Sequence, residues 1–379
     1  MNRQALQAVL DDAVAAGDVA GVVAVVTDAR QTLVYGSAGV TSVGGSLSLD
    51  TQTLFWLASM TKPVTSLAAM QLVERGALAL EMDMGALLPE MKNPMVLEDG
   101  RLRPATRSIT LRHLLTHTSG YSYPFLSKPF MEFIAAQDPA TLPMPNTRAA
   151  LAAPLMFEPG ERWEYGLSTD WLGLAVEAAS GERLDAYFQR HIFAPLGMAD
   201  TGFTPRAALR ARQAELHQRQ ADGRLQPMGP FKPFAEHFCS GGAGLFSTLE
   251  DYQKFLRVFL NAGAGIIAPQ TLVEMTCNQI GPLRAGHLPS TDPAMIAAMD
   301  VNPGQENKWG LGFIIYPQTG PFGRSAGSYG WSGLANTYFW VDPVVNIAAV
   351  ILMQTLPAGD IGAMKTYESF ERAVYAAPQ

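Results

Sequence analysis

The chain has 379 residues, of which 48% are hydrophobic and 16% charged, and its formal net charge is −7 at pH 7. This composition excludes a disordered chain, and the length predicts two lobes of one compact unit. The 27 Lys and Arg residues are scattered without a basic run, which argues against a nucleic-acid partner.

The cysteines and the N-terminus bear on the cellular compartment. Cys239 and Cys277 have no CxxC neighbour, so the sequence predicts neither a disulfide framework nor a zinc site. The N-terminal segment carries Asp11 and Asp12 and lacks the long apolar stretch of a secretory signal. No run of about 18 or more uncharged apolar residues indicates a membrane span. We therefore predict a cytoplasmic protein with no cofactor and no membrane partner, and the oligomeric state stays open.

The first 80 residues predict a helix, a β-hairpin and a second helix. Apolar residues at helical spacing over 6–14 predict an amphipathic helix that stops at Gly17. A β-branched run at 19–28 and an apolar segment at 32–35 predict a hairpin that is buried on at least one face. A Gly/Ser/Thr-rich loop follows, and helical spacing resumes over 64–73.

The middle of the chain predicts helices separated by Pro/Gly-rich loops, at 111–116, 147–153, 169–180 and 182–193. A further helix is predicted to begin near Thr248, with Ser247 or Thr248 as its N-cap. Residues 278–308 are predicted to form a long surface loop. Short strands at 309–316, 324–331, 337–341 and 346–353 then precede a closing helix at 361–376.

Strands thus lie at both ends of the chain and helices in its middle. We predict an α+β fold in which one antiparallel sheet, flanked by helices, is built from residues 1–80 and 236–379. Residues 81–235 are predicted to form an inserted, mostly helical lobe. The cleft between the two lobes is the expected active site.

The strongest chemical signal is the segment SMTK at 59–62, at the start of a predicted helix. Because residues i and i+3 of a helix point the same way, the Lys62 ammonium can reach the Ser59 hydroxyl. The helix N-terminus adds free N–H groups, which favour an attacking serine and its oxyanion. The alternative is that Ser59 is only an N-cap and Lys62 a solvated residue, but the helix dipole disfavours Lys there and the flanking residues are apolar.

Two further motifs can complete this site. The segment WEYGLSTD at 163–170 puts Tyr165 on a loop of the helical lobe, where its hydroxyl can face Ser59 and relay a proton. In GSYGWSGL at 327–334, the glycines let a ligand approach a strand whose N–H, with that of Ser59, can form an oxyanion hole. Taken alone, each motif has an ordinary alternative, a loop tyrosine for the first and a glycine-rich turn for the second.

Together, the three motifs resemble those of the serine β-lactamase and penicillin-binding-protein superfamily. The chain is most similar in form to the family VIII carboxylesterases, which share the class C β-lactamase fold. Further landmarks are LLTHTSG at 114–120, FEPGERWEYG at 157–166 and SGGAGLFSTLEDYQKF at 240–255. The resemblance implies that Ser59 is the nucleophile, with Lys62 and Tyr165 as its proton-handling partners. It also implies that the backbone N–H groups of Ser59 and Leu334 form the oxyanion hole.

Two departures from the β-lactamase pattern bear on the substrate. β-Lactamases usually carry Asn two residues after the tyrosine, where this chain has Leu167, and Lys or His where it has Trp331. The cation that would pair with a β-lactam carboxylate is therefore missing, although Arg324 or Lys308 could supply one from elsewhere. We expect substrate to lie against a set of mostly aromatic positions near the cleft, namely Tyr121, Tyr123, Tyr329, Trp331, Ser332 and Gly333.

We therefore predict a serine carboxylesterase that hydrolyses short-chain neutral esters, its small-molecule partners, through an acyl-enzyme on Ser59. The alternatives are a β-lactamase or D-peptidase-like amide hydrolase, an acyltransferase, and a non-catalytic penicillin-binding-like sensor. Whether Lys62 or Tyr165 removes the serine proton stays open.

Two other kinds of site have weaker support. His113 and His117 have metal-ligand spacing, but HLLTH lacks the Glu of H-E-x-x-H and has no evident third ligand, so structural capping is the better interpretation and no metal is expected. A Ser-His-Asp hydrolase needs an intact G-x-S-x-G, and the segments GYSYP and GWSGL both lack the final glycine.

Overall fold

The computed structural model of the chain describes residues 3–143, 147–234 and 238–376. The strands are β1 (Gly21–Thr27), β2 (Thr32–Gly39), β3 (Leu54–Trp56), β4 (Met95–Glu98), β5 (Arg101–Pro104), β6 (Glu215–Arg219), β7 (Leu225–Pro230), β8 (Phe246–Thr248), β9 (His287–Leu288), β10 (Met299–Asp300), β11 (Lys308–Trp309), β12 (Ile314–Ile315), β13 (Tyr329–Gly333), β14 (Thr337–Asp342), β15 (Ile347–Leu352) and β16 (Thr355–Leu356). The α-helices are α1 (Arg3–Ala15), α2 (Lys62–Glu74), α3 (Met84–Leu87), α4 (Leu111–Thr116), α5 (Lys128–Ala135), α6 (Ser168–Ser180), α7 (Leu184–Phe188), α8 (Ala194–Leu196), α9 (Ala207–Arg210), α10 (Leu249–Leu260), α11 (Pro269–Met275) and α12 (Ile361–Tyr375). Short 3-10 turns span Ala58–Thr61, Pro89–Met91, Pro124–Leu126, Pro139–Thr141 and Arg148–Leu151, and a π-helical turn spans Gln189–Phe193.

Both ends of the chain contribute to one antiparallel sheet. Its seven strands lie in the order β11-β12-β13-β14-β15-β1-β2. The strand β1 pairs with β15, with Val25 opposite Val350, and so joins the N-terminal hairpin to the C-terminal strands. The predicted α+β fold, with an antiparallel sheet flanked by helices, is confirmed.

Helices cover both faces of this sheet. Because side chains alternate along a strand, Val22 and Val26 of β1 pack against Leu10 of α1 and Phe370 of α12. Val23 faces the opposite side, where it joins the main core. All seven residues of β1 are therefore buried.

Local signals place several helix boundaries where the sequence predicts them. The side chain of Thr248 accepts a hydrogen bond from the backbone N–H of Asp251 at 3.2 Å, which makes Thr248 the N-cap of α10. The first helix ends just before Gly17, whose φ of 73° is left-handed. The predicted helix at 182–193 is instead the short α7 followed by the π-helical turn.

The region predicted to be mostly helical also holds two hairpins, β4–β5 and β6–β7. Strand β6 pairs in parallel with β16, which belongs to the C-terminal segment. The strands of these hairpins are only four to six residues long, and sequences such as ELHQR in β6 lack a clear apolar alternation, which is why the pattern did not indicate strands. The predicted lobe boundary between residues 235 and 236 lies outside the described residues, and the division into lobes stays a prediction.

The segment 278–308 is not the surface loop that its composition predicts. Ala285, Leu288 and Ile296 are buried, and β9 pairs with β10. Thr291 donates backbone and side-chain hydrogen bonds to the carbonyls of Phe125 and Pro124. The segment is therefore anchored to the loop that carries Tyr121 and Tyr123 of the predicted pocket.

Two of the predicted C-terminal strands are shorter than expected. The predicted strand at 309–316 divides into β11 and β12, because the chain bends at Gly312, where φ is 108° and an added Cβ would lie 2.4 Å from the Ser66 hydroxyl. The predicted strand at 324–331 begins only at Tyr329. Among the described residues, no helix is long and apolar enough to cross a membrane.

Candidate active site

The backbone around Ser59 is constrained. Ser59 lies in the turn Ala58–Thr61, directly before α2. Ala58 has φ 47°, in the left-handed region that residues other than glycine rarely adopt. Strain of this kind persists where the surrounding structure enforces it, and it is common at active sites.

Strand β13 ends beside this turn. A Cβ added at Gly333 would lie 2.3 Å from the carbonyl oxygen of Leu57 and 3.3 Å from the Cβ of Ala58. Only glycine therefore allows this close approach. Leu334, the predicted second oxyanion donor, directly follows Gly333 in the sequence, so it comes next after a residue that contacts the Ser59 turn.

The amine of Lys62 is surrounded by three oxygen atoms. Its Nζ lies 3.1 Å from Ser59 Oγ, 3.2 Å from the Tyr123 hydroxyl and 2.8 Å from the carbonyl oxygen of Gly242. A carbonyl can only accept, so one N–H of Lys62 always points at Gly242. In the neutral amine, the lone pair is thereby left for a hydroxyl, either that of Ser59 or that of Tyr123.

Burial makes the neutral form of Lys62 accessible near neutral pH. The side chain is 1% exposed. Loss of solvent lowers the pKa of the Lys62 amine to about 7, against the attraction of the Asp170 carboxylate, which raises it. The amine is therefore suited to accept a proton from an adjacent hydroxyl.

Tyr165 lies beside the Lys62 amine. Its ring centroid is 4.6 Å from Lys62 Nζ, and its hydroxyl accepts a hydrogen bond of 2.9 Å from Trp331 Nε1. Burial raises the pKa of the Tyr165 phenol, although hydrogen bonds with Ser59 and Trp331 oppose the rise. Tyr165 is therefore a neutral phenol at neutral pH.

Three distant segments of the sequence thus form one cluster. It consists of Ser59 with Lys62, of Tyr165 and of Trp331. The chain matches the Beta-lactamase family over residues 6–373. It belongs to that family. The β-lactamase-like fold predicted from the sequence is confirmed.

Relatives in this family include both acyltransferases and esterases. Monacolin J acid methylbutanoyltransferase of Aspergillus terreus is 34% identical over 339 residues, which cover 84% of this chain and 81% of that protein. Esterase EstB of Burkholderia gladioli is 30% identical over 399 aligned residues, which cover 98% of this chain and 94% of that protein. The structure of Simvastatin Synthase (LovD) from Aspergillus terreus matches with a TM-score of 0.85 at 31% identity, covering 98% of this chain and 97% of that one.

Two of the tyrosines predicted to bind substrate are buried in the core of this β-lactamase-family fold, and their substrate-binding role stays a prediction. Tyr121 is buried and stacks on Trp171 with ring centroids 6.0 Å apart. Tyr329 is buried, and its ring lies edge-on to Phe313 at 5.4 Å. Tyr123 is the one of the three that reaches the cluster, as a neighbour of Lys62.

Ser332, also predicted to bind substrate, lies on the other face of β13 from Trp331. It pairs with Tyr338 across β13 and β14, and paired residues project from the same face of a sheet. The Tyr338 ring lies 4.4 Å from that of Tyr367 on α12. The Ser332 side chain therefore faces the terminal helices, whereas Trp331 and Gly333 face the cluster.

The cations considered as substitutes for a β-lactamase lysine are engaged elsewhere. Arg324 is buried, donates to Glu371 on α12 at 3.0 Å and lies over the Trp340 ring at 4.7 Å. Lys308 donates to the carbonyl oxygen of Leu283 at 3.0 Å. The structure therefore does not direct either charge to the Ser59 cluster.

The two histidines have separate environments. His113 Nδ1 accepts a hydrogen bond from the Thr110 N–H at 3.2 Å and completes a capping box, as the capping interpretation predicted. His117 is buried, with its ring centroid 4.7 Å from that of Tyr165, and burial and the Lys62 charge hold its pKa well below the usual range. Within the described ranges, no group of three His, Cys, Asp or Glu side chains is placed to hold a metal ion.

One buried carboxylate behind the cluster was missed from the sequence. Asp170, in the first turn of α6, accepts hydrogen bonds from the Ser240 hydroxyl at 2.6 Å and from the Gly242 N–H at 3.1 Å. It is the last residue of the segment 163–170 that carries Tyr165. An acidic residue in the first turn of a helix is common, so this position gave no distinct signal.

Proposed function

We propose that this chain is a serine carboxylesterase of the family VIII type, which hydrolyses short-chain neutral esters through an acyl-enzyme on Ser59. The observation that carries the proposal is the distance of 3.1 Å between Ser59 Oγ and the Lys62 amine, a buried base whose pKa is lowered to about 7. A hydroxyl next to a buried amine is a common arrangement for activating a serine nucleophile.

In the proposed acylation, Lys62 accepts the Ser59 proton while Oγ attacks the ester carbonyl. The backbone N–H groups of Ser59 and Leu334 would stabilise the oxyanion. Tyr165, placed between Lys62 and the indole of Trp331, would pass the proton to the departing alkoxide, which leaves as the alcohol. Water then attacks the acyl-enzyme by the reverse sequence of proton transfers and releases the acid.

The groups around the cluster favour a neutral substrate. Trp331 occupies the position at which a β-lactamase carries a cation, and its N–H is bonded to Tyr165. Arg324 is paired with Glu371. A substrate carboxylate would therefore forgo a charge-assisted hydrogen bond, an interaction roughly twice as strong as a neutral one.

The first test compares substrates and maps the nucleophile. We expect a short-chain nitrophenyl ester to turn over faster than nitrocefin, because the latter carries a carboxylate. After treatment with an organophosphonate, mass spectrometry of the digested protein is expected to place the adduct on the peptide that contains Ser59. Faster nitrocefin turnover would reverse the substrate ranking, and a burst of product without turnover would instead favour a sensor that is acylated but not released.

Acyl transfer is a second candidate function, and the methylbutanoyltransferase relative favours it. The same acyl-enzyme serves both reactions, since an acceptor alcohol replaces water in the second step. We expect an added primary alcohol to give a transfer ester while the rate of nitrophenol release stays constant or rises. Product analysis by chromatography gives the ratio of transfer ester to free acid. A ratio that stays at zero at high alcohol concentration would leave hydrolysis as the better-supported function.

A further inference from the structure

The Asp170 carboxylate and the Lys62 amine bind the same residue from two sides. Asp170 is 4% exposed, and its Oδ1 accepts from the Gly242 N–H at 3.1 Å. The carbonyl oxygen of Gly242 accepts from Lys62 Nζ at 2.8 Å. The position of this carbonyl, and with it the direction of one Lys62 N–H, therefore depends on Asp170.

The turn around Gly242 lies against the start of α6 without space for side chains. A Cβ added at Gly242 would lie 2.5 Å from Asp170 Oδ2, and one added at Gly241 would lie 2.7 Å from the carbonyl oxygen of Thr169. The Ser240 hydroxyl donates to the same carboxylate at 2.6 Å. On the other side of the turn, the carbonyl oxygen of Gly241 accepts a hydrogen bond of 2.7 Å from the Thr65 hydroxyl of α2. Asp170 thus links α6 to the turn that contacts α2.

The other titratable groups around Lys62 are uncharged near neutral pH. Burial raises the pKa of the Tyr123 and Tyr165 phenols, so both keep their protons. Burial, together with the charge on Lys62, holds the pKa of His117 well below its usual range, so it is neutral. Burial raises the pKa of the Asp170 carboxyl, and the Lys62 charge and the hydrogen bonds from Ser240 and the Gly242 N–H offset part of this rise. Within the part of the chain that the structure describes, Asp170 is therefore the countercharge that acts on Lys62.

We propose that Asp170 is a positioning residue for Lys62: it holds the turn whose carbonyl orients the amine and supplies the negative charge behind it. The inference rests on the proposed function, in which Lys62 is the base. The charge of Asp170 stabilises the ammonium form, so removing this charge lets Lys62 lose its proton at a lower pH. The pH at which the site becomes active is thus set by a group that does not touch the substrate.

The test is the pH dependence of inactivation by an organophosphonate, which reports on the free enzyme and does not require turnover. In the wild type, the second-order rate constant is expected to rise with pH through about 7, where Lys62 loses its proton. In Asp170→Asn, this rise is expected to move to lower pH by about one unit or more, because a nearby opposite charge typically shifts a pKa by about 1–3 units. An unmoved rise in Asp170→Asn would overturn the proposal.

Two further variants separate charge from geometry. Ser240→Ala removes the 2.6 Å hydrogen bond and keeps the carboxylate, so the rise is expected to stay near that of the wild type. Asp170→Glu keeps the charge but moves it, because the site has little room for an extra methylene. The rise is therefore expected to move to lower pH by less than in Asp170→Asn, with a lower plateau. A rise in Asp170→Glu that moves to higher pH, or that moves as far as in Asp170→Asn, would overturn the proposal. Absence of a Ser59 adduct in the wild type would instead refute the proposed function itself.

Discussion

Replacing Ser59 with alanine is expected to abolish ester turnover and phosphonate labelling, with a fall in kcat of at least about 10⁴-fold. Removal of a serine nucleophile has effects of this size, because the acyl-enzyme has no other atom on which to form. The neighbouring amine of Lys62 stays in place in this variant but has no hydroxyl from which to take a proton. Initial rates with a short-chain nitrophenyl ester and intact-protein mass spectrometry after phosphonate treatment provide the measurement.

The fold of this variant should be intact, because Ser59 is only partly buried and its hydroxyl deletion leaves no large cavity. The thermal midpoint is therefore expected to stay close to that of the wild type. Ser46→Ala, at an exposed position in a loop, is the matched control and should keep both activity and labelling. Wild-type rates in Ser59→Ala, or an adduct of undiminished yield, would show that another residue is the nucleophile.

The central sheet could be predicted because its strands have strong local signals. The segment GVVAVVT of β1 is rich in β-branched residues, and β15 reads IAAVIL, as expected for strands covered on both faces. The edge strand β11 and its neighbour β12 have two residues each, and the bend between them depends on the close approach of Gly312 to α2. An approach between distant segments leaves no periodic signal in the sequence.

The contacts of the candidate site also divide into local ones, which the sequence predicts, and contacts between distant segments, which it does not. The pairing of Ser59 with Lys62 follows from helical geometry at i and i+3, so it could be predicted locally. The contacts of Lys62 with Tyr123 and Gly242 join segments 61 and 180 residues apart in the sequence, and they depend on how these distant segments pack against each other. Asp170 escaped notice for the same reason.

Aromatic residues were the least predictable part of the pocket. Tyr121 and Tyr329 suit a buried core as well as a substrate pocket, because a tyrosine is apolar over most of its surface. Which role each takes depends on its strand face and on the path of its loop. Composition therefore indicated an aromatic site, but only the structure distinguishes Trp331, bonded to Tyr165, from Tyr329, packed on Phe313.

The identity of the base could not be decided from the sequence, because lysine and tyrosine titrate close together in water, near about 10.4 and 10. Burial shifts the pKa values of Lys62 and Tyr165 in opposite directions. It favours the uncharged form of each group, which for Lys62 is the amine that accepts a proton and for Tyr165 is the phenol that does not. The structure therefore supports Lys62 as the proton acceptor in the proposed mechanism.

Replacing Lys62 with methionine is expected to lower kcat/KM by about 10³-fold, within the range of about 10²–10⁴ that a general base contributes. In the wild type, kcat/KM is expected to rise with pH through about 7, because below that pH Lys62 is an ammonium without a lone pair. This rise should disappear in Lys62→Met. The carbonyl of Gly242 loses a partner, at a cost of about 1–3 kcal/mol, but the burden of burying an amine is also removed, so the fold should persist.

Tyr165→Phe is the matched comparison, because it removes one hydroxyl and keeps the ring that packs against Trp331 and His117. If Lys62 is the base and Tyr165 relays the proton to the leaving group, Tyr165→Phe lowers kcat/KM but retains the rise near pH 7. Esters with a better leaving group should reduce its effect, since a more acidic alcohol needs less help to depart, whereas Lys62→Met should stay impaired. If instead Tyr165→Phe loses the rise in kcat/KM and Lys62→Met keeps it, the phenol is the proton acceptor and the role assigned to Lys62 is wrong.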